Sequence, residues 1–231
     1  MELVEHLEEL RFRIIRSLIY VVVLAAVCWL FYGQLYALLK HPLDAAAGEN
    51  VSLIYLHVTE AFFLQLQVCC IAGVVFASPL LVWEAWGFVA PALTSDERRP
   101  VRFMFPMAVF LFLLGVALSY AILPMGLKWF ISYIPAGVEL KQKTSDYILF
   151  VVKMCGAFGI GFELPVFLMM FAKVGIINSD MMKRYWREST VVIMIVAAIL
   201  TPSNDPLSML MMSIPMVFLF FISIRLVKMV E

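Results

Sequence analysis

Residues 103–123 read FMFPMAVFLFLLGVALSYAIL, and none of these 21 residues is charged. At the rise of an α-helix they reach about 30 Å, the thickness of a bilayer's hydrocarbon core. A second run, Ile14 to Phe31, carries one charge, Arg16. Hydrophobic residues make up 64% of the 231-residue chain, and its mean hydropathy is +0.97. Soluble domains are about 45–50% apolar. A soluble core of this size buries only about three quarters of its surface, so the excess cannot be hidden. The chain therefore reads as an integral membrane protein. Only helices and closed barrels satisfy their backbone polar groups in lipid. Barrel strands alternate in polarity over about ten residues; these unbroken runs are helical.

Six apolar segments follow, at about 13–33, 62–87, 103–127, 147–172, 189–202 and 207–226, in a single membrane domain covering 1–231. The fifth is short, and only PSNDP (202–206) joins it to the sixth. This predicts a turn below the membrane surface, with local thinning. With the N-terminus inside, the inner segments hold 12 of the 17 Lys and Arg residues and the outer ones 5. The positive-inside rule then places both termini in the cytoplasm. Two outer loops are expected, 34–61 with a turn at AGEN (47–50), and 128–146. Pro79, Pro106, Pro165 and Pro215 lie within spans and are expected to bend them. Cys28, Cys69, Cys70 and Cys155 sit in apolar runs without metal-ligand spacing and read as packing residues. No metal and no cofactor is expected. The formal net charge of zero points to no nucleic acid.

One carboxylate lies where charge is costly. Glu163, in GAFGIGFELPVF (156–167), is ten residues from both Lys153 and Lys173, near the bilayer midplane. Inserting a carboxylate there costs on the order of 2.5–3.5 kcal/mol. It is expected to be neutral or hydrogen-bonded. Gly156, Gly159 and Gly161 precede it, and Pro165 leaves the Gly161 carbonyl without a helical donor. A kink, a free carbonyl and an acid thus coincide in a polar notch. Two readings stand: a structural residue bonded to a neighbouring helix, with Tyr120, Gln65 or Gln67 as partners, or a functional site.

Enzyme chemistry finds no foothold. No histidine lies in a span, since His6, His41 and His57 are terminal or in loops. There is no H-E-x-x-H, no G-x-S-x-G, no P-loop and no pair of mid-span aspartates. Three non-enzymes remain: a receptor for another polypeptide, a proton-coupled small-solute transporter using Glu163, and an assembly scaffold. Transporters of that kind carry internal repeats, and none is visible here.

Charged and aromatic groups gather at the cytoplasmic ends. HLEELRFR (6–13) puts His6, Glu9 and Arg13 on one helical side. WEAWGFVAPALTSDERRPVR (83–102) combines an aromatic belt with a helix start that Asp96 and Glu97 would favour. Together with FASPLLVWEAW, FLLGVALSYAILP, AFGIGFELPV and LTPSNDPLSMLMMSIPM, these segments resemble TatC, the large polytopic subunit family of the twin-arginine protein translocase. The resemblance covers the whole chain. It implies an all-α, six-helix, concave, glove-like bundle in the cytoplasmic (inner) membrane, with helices five and six short. It further implies a receptor for folded cargo bearing a double-arginine signal peptide, exported by the proton-motive force. By resemblance, Glu97, Phe88, Glu9 and Arg11 match the signal-binding site. Pro42 and Asp205 match positions in the first and last outer loops, and Glu163 the intramembrane acid. The implied partners are single-span TatA and TatB subunits, in a complex that holds further copies of the chain. Paired guanidiniums are well suited to carboxylates through bidentate, charge-assisted hydrogen bonds. Several pairs are required, because one exposed pair contributes only about 0–1 kcal/mol.

Overall fold

The structure is a computed structural model that describes residues 3–47, 51–89, 95–135, 138–203 and 205–230. Its elements are α1 (Leu3–Leu30), α2 (Tyr32–Ala47), β1 (Val51–Ile54), α3 (Glu60–Val89), α4 (Ser95–Ile131), β2 (Leu140–Lys143), α5 (Thr144–Phe162), α6 (Leu164–Lys173), α7 (Ser179–Arg184), α8 (Trp186–Leu200) and α9 (Pro206–Val230).

The expected spans are all helical. Five stretches are long and apolar enough to cross a bilayer. The fifth of the six expected spans, α8, is not among them: it has 15 residues and reaches only about 22 Å. The expected outer loops differ from the reading: 34–61 is largely α2 and β1, and 128–146 holds β2. The AGEN turn lies almost entirely outside the described residues. β1 and β2 pair in parallel, Val51 opposite Leu140. β2 runs straight into α5 and β1 is soon followed by α3, so both strands point towards the bundle, which makes the pair parallel. Glu60 ties the two together. It accepts from the Leu56 N–H at 3.0 Å, lies 3.6 Å from Lys143 Nζ, and hydrogen-bonds the Ser145 hydroxyl.

Of the four span prolines, only Pro165 coincides with a break. The helices run unbroken past Pro79, Pro106 and Pro215. The neighbouring helices fix their path, and one missing donor does not interrupt it.

Among the described residues two large apolar cores hold the bundle, and a small third one, Cys28, Cys69 and Ala72, lies between α1 and α3. One large core joins α4, α5, α6 and α9 through Phe158, Phe162, Met212 and Met216. The other joins α2, α3, α4 and α5 through Leu39, Leu64, Val68, Ile148 and Val151. Helix α1 stands apart: only 6% of its spanning window is buried by the described residues, so most of its surface is left uncovered by the rest of the chain. Its main seat is α3. A Cβ on Gly73 would lie 2.9 Å from both Cβ and N of Ala25, so the two backbones touch there. The α4–α5 crossing is similar. A Cβ on Gly115 would lie 2.6 Å from the Phe158 carbonyl oxygen, and one on Gly159 2.7 Å from the Phe112 ring. Gly156 meets nothing within 4 Å, so close approach rests on Gly159 and Gly161.

The chain after α6 turns sharply. Gly175 has φ +78°, its N–H donates to Ala172 and that of Ile176 to Phe171, both at 2.9 Å. Glycine adopts this left-handed helix end without steric cost. Asn178 then caps α7, accepting from the Met181 N–H at 2.7 Å.

Candidate functional site

The arginine-rich end of the bundle is where α1 starts, α3 ends and α4 starts. Glu9 and Arg13 are one helical turn apart on α1. Arg13 Nη2 donates to Glu9 Oε1 at 2.6 Å, and Nε donates to the same oxygen at 3.0 Å. Arg13 also crosses to α3, where Nη1 donates to Glu84 Oε2 at 3.1 Å. Tyr20 reaches the other Glu84 oxygen at 3.4 Å. Glu84 is only 4% exposed. The Arg13 guanidinium offsets the cost of burying it. Room for it comes from Gly87, one turn on from Glu84: a Cβ there would lie 2.1 Å from Arg13 Nη1.

Of the predicted site residues, Glu9 takes part in this bridge. Phe88 follows Gly87 and is half-buried. Glu97 is in the first turn of α4, where the dipole favours an acid; its side chain lies outside the described residues. Arg11 is exposed, turned by about 200° from Glu9 on α1. Glu9 is therefore bridged to Arg13 and Glu84, a triad that the sequence reading did not assemble. Spacing gives no access to a contact between helices. The sequence signal available was a charged residue in an otherwise apolar run, WEAW, which also marks Glu163.

Glu163 sits at a helix break. Helix α5 ends at Phe162 and α6 starts at Leu164. The Glu163 N–H donates to Ile160 at 3.1 Å, a tightened last turn, and its carbonyl accepts from Val166 at 2.9 Å. The expected kink is thus a break. The expected partners are elsewhere. Tyr120 donates to the Leu38 carbonyl at 2.9 Å, and neither Gln65 nor Gln67 reaches the acid. Glu163 Oε1 is buried with no hydrogen-bond partner among the described residues. It borders a cavity of about 220 Å³ lined by Val82, Phe105, Ala108, Val166 and Phe167, among others. Among the described lining residues, Glu163 is the polar one.

The two loop positions have structural work. Pro42 is buried inside α2. Asp205 immediately precedes Pro206, the first residue of α9, and accepts from the Ser208 N–H at 2.7 Å, the geometry of an N-cap. Burial pushes its carboxyl up, but the hydrogen bonding it accepts at the start of α9 outweighs this and holds it below the ordinary aspartate value. Among the described residues no group of three or more His, Cys, Asp and Glu is arranged to hold a metal ion.

Residues 5–215 match the family model described as Sec-independent protein translocase protein (TatC). The chain belongs to the TatC family. A TatC protein of Desulforapulum autotrophicum is 35% identical over 95% of this chain and 82% of its own length. One from Carboxydothermus hydrogenoformans is 31% identical over 100% of this chain and 94% of its own length. A chloroplastic TATC of Oryza sativa subsp. japonica is 33% identical over 99% of this chain and 63% of its own length. A crystal structure described as the twin arginine translocase receptor TatC superposes with a TM-score of 0.83 at 31% identity, covering 97% of this chain and 99% of that one. The TatC fold is therefore that of this chain. Its role is one of protein transport rather than catalysis.

Proposed function

We propose that this TatC-family chain receives the double-arginine signal peptide of folded cargo at the arginine-rich end of the bundle, and takes part in cargo export driven by the proton-motive force. That end would face the cytoplasm, with both termini, in the cytoplasmic (inner) membrane. The observation that carries the reading is a carboxylate with a spare oxygen. Glu9 Oε2 is buried and has no partner among the described residues, on the same end of the bundle as Glu97 and Phe88. An arginine pair brings donors in fork geometry to such acceptors. Phe88 would help to exclude water from the bonds.

The test is crosslinking of a radiolabelled signal peptide to membranes containing the protein. Arg-Arg peptide should crosslink strongly, and Lys-Lys peptide weakly. Glu97→Ala and Glu97→Lys should each reduce the Arg-Arg crosslink. Undiminished crosslinking in both variants would remove Glu97 from the site.

The Glu163 groove supports a second part of the proposal. A carboxyl oxygen without a partner in an apolar groove is suited to a single-span helix bearing one polar side chain, as TatA- or TatB-type subunits would supply. Glu163→Ala should reduce co-purification of such a subunit; unaltered association would reject the placement. A proton-coupled solute pathway through Glu163 gains no support, because the groove's other lining residues are apolar.

A further inference from the structure

We infer that Glu84 is a positioning residue for the arginine pair: through Arg13 it fixes the Glu9 carboxylate so that Glu9 Oε2 takes one incoming guanidinium. The inference rests on the signal-receptor reading above, and adds a residue and a reason for selecting arginine over lysine.

The bridge has two carboxylates and one guanidinium, so it is one positive charge short. The shortage is localised. Both Glu84 oxygens have partners, Arg13 on one and Tyr20 on the other. Glu9 Oε1 takes two Arg13 donors, at 2.6 and 3.0 Å. Glu9 Oε2 alone is left without a partner among the described residues. A desolvated acceptor in that state binds a charged donor more strongly than a hydrated one does.

Fixing matters more than charge. A carboxylate free to rotate is a diffuse negative charge and accepts an ammonium as readily as a guanidinium. A carboxylate locked on one oxygen presents the other in a fixed direction, which favours a planar, directional donor. On its own the Glu9–Arg13 pair is an ordinary one-turn pair on the surface of α1, and such pairs are mobile. What immobilises it is the crossing to α3: a buried Glu84 and the space left by Gly87. Lysine at position 13 would offer one ammonium and could not hold both helices in the same geometry.

The experiment measures binding of fluorescent Arg-Arg and Lys-Lys signal peptides to the purified full-length chain in detergent. Glu84→Ala removes the anchor. Gly87→Ala leaves every charge in place but pushes the flexible Arg13 head off its seat. In both variants the Arg-Arg affinity should fall about tenfold while Lys-Lys binding changes less than about twofold, so the preference collapses. Glu84→Gln retains an acceptor for Arg13 and should keep part of the preference. A merely structural role for Glu84 would lower both affinities together. The inference is overturned if folded Glu84→Ala and Gly87→Ala proteins keep the parent's preference. If the parent itself does not distinguish the peptides, the receptor reading fails, and this inference with it.

Discussion

Replacing Glu163 by leucine should make the isolated protein more stable while weakening its assembly. The carboxyl group borders an apolar cavity of about 220 Å³ and its Oε1 has no partner among the described residues. A buried polar atom left unsatisfied costs about 1–3 kcal/mol. Leucine removes that cost and packs apolar surface against Val82, Phe105, Val166 and Phe167. For a chain of this length, each kcal/mol corresponds to roughly 2–4 °C in Tm, so a rise of several degrees is expected. Thermal unfolding of the purified protein in one detergent at one scan rate is the assay. Glu163→Gln is the control, because it stays polar and should gain little. In parallel, co-purification of a single-span subunit should fall for the leucine variant. A folded Glu163→Leu protein with a lower Tm than the parent would refute the reasoning, since it would mean that the acid already holds the bundle together.

Glycine substitutions along α5 should separate by position. Gly159→Ala drives a methyl to 2.7 Å from the Phe112 ring and should cost about 1–3 kcal/mol, whereas Gly156→Ala meets open space and should be neutral or slightly stabilising. Thermal unfolding would check both, and equal losses would contradict the α4–α5 crossing. Asp205→Ala should cost about 1 kcal/mol by uncapping α9. The Asp205 carboxyl is held below its ordinary value in the fold, so its contribution is present at neutral pH and is lost as pH falls through the depressed folded value. The parent should therefore lose this increment in acid below about pH 4, while Asp205→Asn, an uncharged cap, should not. Tyr147 donates from a buried position to the Leu39 carbonyl at 3.1 Å. Tyr147→Phe should lower stability by about 1 kcal/mol; an unchanged unfolding temperature would show that water replaces the bond.

The spans were legible because lipid imposes length and apolarity on each helix separately, as in residues 103–123. The short α8 followed from counting residues between Ser189 and Thr201. Helix α2 was hidden, since Pro42, His41 and Lys40 in an amphipathic stretch read as loop, yet Pro42 is buried against the bundle. The strands β1 and β2 were hidden too, because four-residue segments far apart in the chain carry no local period. The isolation of Glu163 was legible in its surroundings, but its lack of Tyr120 or Gln partners was not. Glu9 is singled out by resemblance alone. The Arg13–Glu84 crossing depends on how α1 lies across α3, which Gly73 and Gly87 set through contacts that no spacing reveals.

The parallel pairing of Val51–Ile54 with Leu140–Lys143 also works as a parity check on insertion. Two membrane crossings, α3 and α4, separate the strands in the chain. If both helices insert, the strands arrive on the same side and can join. If either fails, they lie on opposite sides of the bilayer, and Glu60 forfeits Lys143 and Ser145. The small sheet can therefore close only when α3 and α4 agree in insertion, so its formation excludes a chain in which one of them has failed to cross, before the C-terminal helices have been placed.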